Sequence, residues 1–150
     1  MEKVKAFCKR KNIEISVKRY LIDALGAMAQ GLFASLLIGT IISTLGTQLN
    51  IPILVTVGTY AKAAVGPAMA IAIGYALQAA PLVLFSLAAV GAAANELGGA
   101  GGPLAVLVVA IFAAELGKAV SKETKIDIIV TPFVTIFVGV ALSILSLIHI

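Results

Sequence analysis

The residues able to do chemistry in this sequence are few: Lys62, Gln78, Asn95, Glu96, Gly101, Gly102 and Glu115. Glu96 is the only charged residue between Lys62 and Glu115. It stands in Asn95–Pro103, Asn-Glu-Leu-Gly-Gly-Ala-Gly-Gly-Pro, with long apolar runs on both sides. A carboxylate persists in such surroundings when water, a partner or a ligand solvates it. The glycines let backbone approach a ligand closely. Pro103 suits the start of a helix, where its missing N–H costs nothing. The backbone N–H groups of Gly101 and Gly102 would then point out of a helix N-terminus as donors. A carboxylate accepts two hydroxyl hydrogens, and an amide both donates and accepts. This donor and acceptor set suits a polyhydroxylated ligand, a sugar. The competing reading of Asn95-Glu96 is an ordinary polar turn at a surface.

Each remaining polar group carries two readings. Lys62 either snorkels towards an interface or faces a water-filled cavity. Glu115 and Lys118, three apart on one helix face, either pair with each other or serve a ligand or proton site. Gln30 is polar in mid-span and faces protein. Asp23 suits the first turn of a helix capped by Ser16 or Asn12. No soluble-enzyme constellation can be assembled, and no catalytic residue is assigned. The one histidine is His149, so neither a His/Cys metal site nor a Ser–His–Asp set exists. The glycine cluster is no dinucleotide fingerprint, because no βαβ unit surrounds it. No metal or cofactor is expected. Cys8 is the only cysteine, a cytoplasmic thiol with no disulfide to form.

The elements that must position these groups are membrane helices. The chain has 150 residues, 61% of them hydrophobic and only 12% charged, with a mean hydropathy of +1.11. A soluble domain carries about a quarter charged residues. Neither 24–61 nor 63–95 contains a charge, and roughly 20 apolar residues already span a bilayer. The fold class is therefore all-α: a polytopic transmembrane helical protein with about five membrane segments, some broken or short. The net charge of +4 does not indicate nucleic acid. Seven of the eleven Lys and Arg residues precede Leu21, which is the positive-inside signature of a cytoplasmic N-terminus.

Residues 1–20 read as a basic cytoplasmic lead-in able to touch anionic lipid headgroups. The first span covers about 21–45, with a stripe of small residues at Ala27, Gly31, Ser35, Gly39 and Ser43 for helix packing. A turn at 46–52 precedes a second span, 53–77, which Gly66-Pro67 should kink or break. Gln78–Pro81 is a tight turn. The third span, about 82–94, is short and alanine-rich, leading into the glycine segment without necessarily crossing. The fourth covers 103–120 and the fifth 128–147. Merging 53–94 into one helix would make it about 63 Å long, twice the hydrocarbon thickness.

Several segments together carry a resemblance. Ala61-Lys62-Ala63-Ala64-Val65-Gly66-Pro67, Ala80-Pro81-Leu82-Val83-Leu84-Phe85-Ser86 and Gly98–Pro103 form one set. Glu115-Leu116-Gly117-Lys118 and Thr124-Lys125-Ile126-Asp127-Ile128-Ile129-Val130-Thr131-Pro132 form another. In order and spacing they resemble the membrane IIC component (EIIC) of bacterial phosphotransferase-system sugar permeases. The branch is the one that includes the perfringolysin regulator-like proteins. The resemblance implies an EIIC-like domain over 21–147 in the bacterial plasma membrane. It implies a sugar substrate, IIA and IIB phosphocarrier partners, a homodimer and surrounding lipid. A phosphorylated residue of IIB, not a residue of this chain, would pass its phosphoryl group to the sugar. In related permeases a glutamate in a re-entrant or loop segment holds the sugar hydroxyls, and Glu96 matches by type and setting. Two rival readings stay open: a membrane regulator or sensor without transport, and an ion-coupled carrier with Glu96 or Glu115 as proton site. The chain stops in mid-span, and Ser146–Ile150 looks like a translated sequencing-adapter tail. The expectation is an N-terminal portion of a longer permease, with 146–150 non-native.

Overall fold

The computed structural model describes the backbone of residues 1–149 and the side chains of residues 1–148. The described residues are helical throughout, joined by short turns. A first helix, α1 (Glu2–Arg10), precedes a long apolar helix running unbroken from Lys18 to Gln48. Within that long helix, α2 (Ala24–Leu32) and α3 (Ile38–Gln48) are each preceded by a wider, π-helical turn, Lys18–Asp23 and Phe33–Leu37. There follow α4 (Pro52–Ala63), α5 (Val65–Ala76), α6 (Pro81–Leu97), a 3₁₀ turn at Gly99–Gly101, α7 (Gly102–Val120) and α8 (Asp127–His149). Among the described residues three helices are long and apolar enough to cross a membrane: Lys18–Gln48, Gly99–Val120 and Asp127–Ile148. The bent pair α4–α5 is long and apolar enough only when taken together, the form of a broken span or a re-entrant loop, and α6 is a shorter apolar helix. This is the expected all-α polytopic architecture.

The π-helical turn at Phe33–Leu37 explains how the small-residue stripe works. Residues four apart drift by about 40° per step around an ordinary helix of 3.6 residues per turn. A wider turn absorbs that drift, and Gly31, Ser35 and Gly39 are all buried. A Cβ on Gly31 would come within 2.6 Å of the Ala68 carbonyl oxygen of α5, and one on Gly39 within 2.9 Å of the Gly58 carbonyl oxygen of α4. The stripe thus holds two successive helices at backbone contact. Ser35 donates to the Gly31 carbonyl at 2.7 Å, so its buried hydroxyl is satisfied within its own helix. At the start of this helix Ser16 Oγ accepts the Arg19 N–H at 3.1 Å, the capping contact expected there. Asp23 lies a turn further in and is exposed.

The predicted break in the second span is real but displaced. α4 and α5 meet at Ala64 with a bend of 46°. Gly66-Pro67, the expected breakpoint, occupies the first turn of α5 instead. Proline would leave the Ala63 carbonyl without its donor in a continuous helix, so the chain interrupts just upstream, where the first turn needs no such donor. Pro52 and Pro81 likewise open α4 and α6 after an extended residue. Asn12, Asn50 and Gln78 have φ values of +57°, +54° and +58° and end the helices before them. In each case the next N–H returns to a carbonyl of the last helical turn, as Ala79 N does to Gly74 O at 2.9 Å.

The core lies where α5, α6 and α7 meet, around Met69, Ile73, Leu87, Val90, Val106 and Ala113. α2 packs on α5, and α8 covers α6 and α7. α8 turns Thr131, Thr135 and Ser143 inwards; Thr135 and Ser143 each donate to the carbonyl four residues back at 2.8 Å. α3 and α4 pack chiefly on each other, forming a hairpin beyond the level at which α6 turns into α7. α6 has 17 residues, about 25 Å, against about 30 Å of hydrocarbon. Its shortness sets the height of the glycine turn within the bundle.

Candidate functional site

The structure divides the seven predicted residues between the two ends of the bundle. Lys62, Asn95, Glu96, Gly101 and Gly102 lie at the end where α6 turns into α7. Gln78 and Glu115 lie at the other end, where α5 stops and α7 approaches its last turn.

At the first end, α5 and α6 cross at backbone contact. A Cβ on Gly66 would collide with the Gly91 carbonyl, and the converse holds for Gly91. One turn along α6, the half-buried Asn95 side chain reaches both neighbours. Its Cβ bounds Gly66 of α5, and a Cβ on Gly102 would come within 2.7 Å of its Oδ1. Asn95 is therefore seated between α5 and the N-terminus of α7. Glu96, next along, is exposed, and no hydrogen bond or ion pair to its carboxylate exists among the described residues. Its carboxylate is free to accept. Gly101 is half-buried and Gly102 buried at the start of α7, with Pro103 in its first turn as anticipated; their N–H groups, expected as outward donors, are instead spent within the 3₁₀ turn, on the Gly98 carbonyl at 2.9 Å and on the Gly99 carbonyl. Lys62 is half-buried in the last turn of α4, one turn before Gly66. Its aliphatic stem lies against Gly39 of α3. Gln30 is exposed rather than turned towards protein: the close approach of α2 to α5 runs through Gly31.

At the other end, Lys118 is buried to 3% exposure. Its ammonium donates to the carbonyls of Leu77 at 2.8 Å and Asn12 at 2.9 Å, and to Glu115 Oε1 at 3.1 Å. The pairing read from the i,i+3 spacing is present. Glu115 Oε2 is enclosed and accepts no hydrogen bond among the described residues. Arg19 donates to the same Leu77 oxygen at 2.7 Å. Lys11 donates to the Ser121 carbonyl and pairs with Glu123 at 2.7 Å, while Arg10 pairs with Glu123 at 2.9 Å. The ends of α1, α5 and α7 converge here, and helix C-termini present unpaired carbonyls and partial negative charge. Buried cations answer both.

Two cavities open on this basic face. One of about 560 Å³ is bordered by Arg10, Lys11, Gln78, Lys118, Lys122 and Glu123. The second, about 790 Å³, lies on the other flank of α1 near Cys8, Arg19 and Gln78. Sequence reasoning missed this concentration. Read singly, the basic residues before Leu21 indicate orientation; only the fold brings them against the 121–123 loop. The exposed Gln78, with its positive φ, borders both cavities. Among the described residues no cluster of His, Cys, Asp and Glu able to hold a metal occurs.

Apolar spans, one of them bent, around a short helix that ends in a glycine-rich polar turn define a polytopic helical membrane protein. The chain belongs to the family described as "Phosphotransferase system, EIIC", whose model matches residues 22–150. Membership makes it a membrane subunit of sugar-transport type. Residues 1–21, including α1, precede the match. No curated protein and no solved structure matches the chain significantly.

Proposed function

We propose that this chain is the sugar-translocating subunit of a phosphoenolpyruvate-dependent phosphotransferase system in the bacterial plasma membrane. The observation that carries the reading is the family match together with a free carboxylate, Glu96, beside a wedged amide, Asn95, at a glycine-rich helix junction. Glu96 accepts hydrogens from two sugar hydroxyls, and the Asn95 amide donates to one and accepts from another. Gly101 and Gly102, with no side chains, let the sugar approach the backbone closely at this junction. Lys62 lines the approach between the α3–α4 hairpin and this junction. Gln78 and Glu115 lie at the opposite mouth and meet the sugar only at the inner end of its path.

The basic face is cytoplasmic in this reading. α1, the start of the long helix and the 121–125 loop concentrate Lys and Arg on it, as the positive-inside rule requires. The IIB protein docks there. Its phosphorylated residue transfers the phosphoryl group to a sugar hydroxyl: a P–O bond to the sugar forms, the bond from phosphorus to the IIB residue breaks, and the hydroxyl proton leaves to solvent. IIA recharges IIB. This chain binds and orients the sugar and performs no covalent step. It works as a homodimer surrounded by lipid. Sugar affinity tests the assignment. In purified protein titrated with a panel of hexoses and disaccharides, Glu96→Gln and Glu96→Ala should weaken binding at least tenfold, the value of a lost charged hydrogen bond. Equal affinities in wild type and both variants would remove Glu96 from the site.

A further inference from the structure

The 560 Å³ cavity on the basic face has the size of a small-molecule site. Four cationic side chains and a single carboxylate border it. Lys118 is wholly committed elsewhere and Lys11 in part. Lys118 is consumed by Glu115 and two carbonyls, and Lys11 gives one hydrogen to Ser121. The other two are not. Arg10 is 64% exposed along its side chain and spends one guanidinium nitrogen on Glu123. Lys122 is exposed, in a left-handed turn at φ +61°; its backbone N–H, rather than its ammonium, is bound to Asp127, at 2.6 Å. Glu123 bridges Arg10 and Lys11 from an exposed loop. Exposed ion pairs of this kind contribute little and exchange readily.

We infer that this cavity binds a phosphate monoester, with Glu123 occupying the anion's place when the site is empty. A phosphate group offers three acceptor oxygens and up to two negative charges where the Glu123 carboxylate offers one charge. Arg10 and Lys11 can therefore transfer from Glu123 to the phosphate, while Lys122 adds a third contact and the Gln78 amide reaches the ester's organic part. The choice of ester rests on the function proposed above, whose product is a sugar phosphate released on this face. A phosphatidic acid headgroup presents the same chemistry. Because Arg10 and Lys11 precede the family match at residues 22–150, two of the site's cations come from the last residue of α1 and the one that follows it.

The test is calorimetric titration of the full chain in phosphatidylcholine nanodiscs with inorganic phosphate and with glucose 6-phosphate. Arg10→Gln and Lys122→Gln should each weaken binding about tenfold. Glu123→Gln should strengthen it several-fold, because it removes the internal competitor. A parallel thermal melt in nanodiscs containing phosphatidic acid separates the sources. Stabilisation there, lost in Arg10→Gln and Lys122→Gln, without binding of either soluble probe, assigns the chemistry to a headgroup. Absence of all three responses, or a Glu123→Gln variant that binds no more tightly than wild type, overturns the inference. Inorganic phosphate carries no sugar, so its binding survives if the sugar site is misassigned and fails independently of it.

Discussion

The ammonium of Lys118 lies 2.8 Å from the carbonyl oxygen of Leu77, a residue 41 positions earlier. That oxygen belongs to the residue that caps α5 and also accepts from Arg19 at 2.7 Å. One buried cation thus ties α7 to the end of α5, to the end of α1 through Asn12, and to its own carboxylate neighbour Glu115.

Removing this cation should be costly. Lys118→Met leaves Glu115 enclosed without its counter-charge and strips a donor from two carbonyls. Breaking a buried pair from one side costs about 3–5 kcal/mol. We expect a strongly lowered Tm for Lys118→Met in detergent, partly restored in the double variant Lys118→Met/Glu115→Gln. A single variant as stable as wild type would show that the pair does not hold the helix ends together.

The α5–α6 crossing gives a second prediction. Gly66 and Gly91 meet backbone to backbone, so a methyl group at either has nowhere to go. Gly66→Ala should destabilise the fold by about 1–3 kcal/mol, the range for overpacking a close contact. Ala at Gly26, where a Cβ would meet nothing within 4 Å, is the control and should be neutral in the same thermal melt.

The end of α1 should be held slightly less tightly at low pH. The hydrogen bond from Lys11, with the charges of Lys11 and Arg10, holds the Glu123 carboxyl below its ordinary value of 4.5. A carboxylate whose pKa is lowered by docking stabilises the docked state fully above its ordinary value. That stabilisation is lost as pH falls through the lowered, docked-state value. Cys8, the only cysteine, provides a spin-label position on α1. The label should be restrained at neutral pH and gain only modest mobility below the ordinary glutamate range, because the contacts of Lys118 with Asn12 and of Lys11 with Ser121 do not titrate with Glu123. Glu123→Gln should show that modest mobility at both pH values, with α1 still docked through those contacts.

Much of the architecture was legible because hydropathy is local. The charge-free stretches and Pro52, Pro81 and Pro103 mark helices and their starts without knowledge of neighbours. The bend was legible in kind, but its position was not. Gly66-Pro67 announces that a helix cannot run through, while the residue that yields, Ala64, depends on where α4 finds support from α3. The site was harder. Asn95 and Glu96 could be singled out from one segment, since a carboxylate among glycines is visible there. Gln78 and Glu115 were grouped with them only because all are polar in apolar surroundings, and α5 carries Gln78 to the far end. Arg10, Lys11 and Glu123 become a group only through contacts more than a hundred positions apart.

The account depends most on sugar being captured at the Asn95–Gly102 junction and phosphorylated as it passes. Inside-out vesicles carrying the full chain, supplied with phosphoenolpyruvate, the general phosphotransfer proteins and the IIA and IIB partners, measure this directly with a radiolabelled sugar panel. The account predicts that one sugar is converted to its phosphate by wild type, and that Glu96→Ala abolishes conversion while remaining folded in the membrane. Full conversion by Glu96→Ala, or proton-gradient-driven release of unmodified sugar from the vesicle lumen with no sugar phosphate formed, would contradict it.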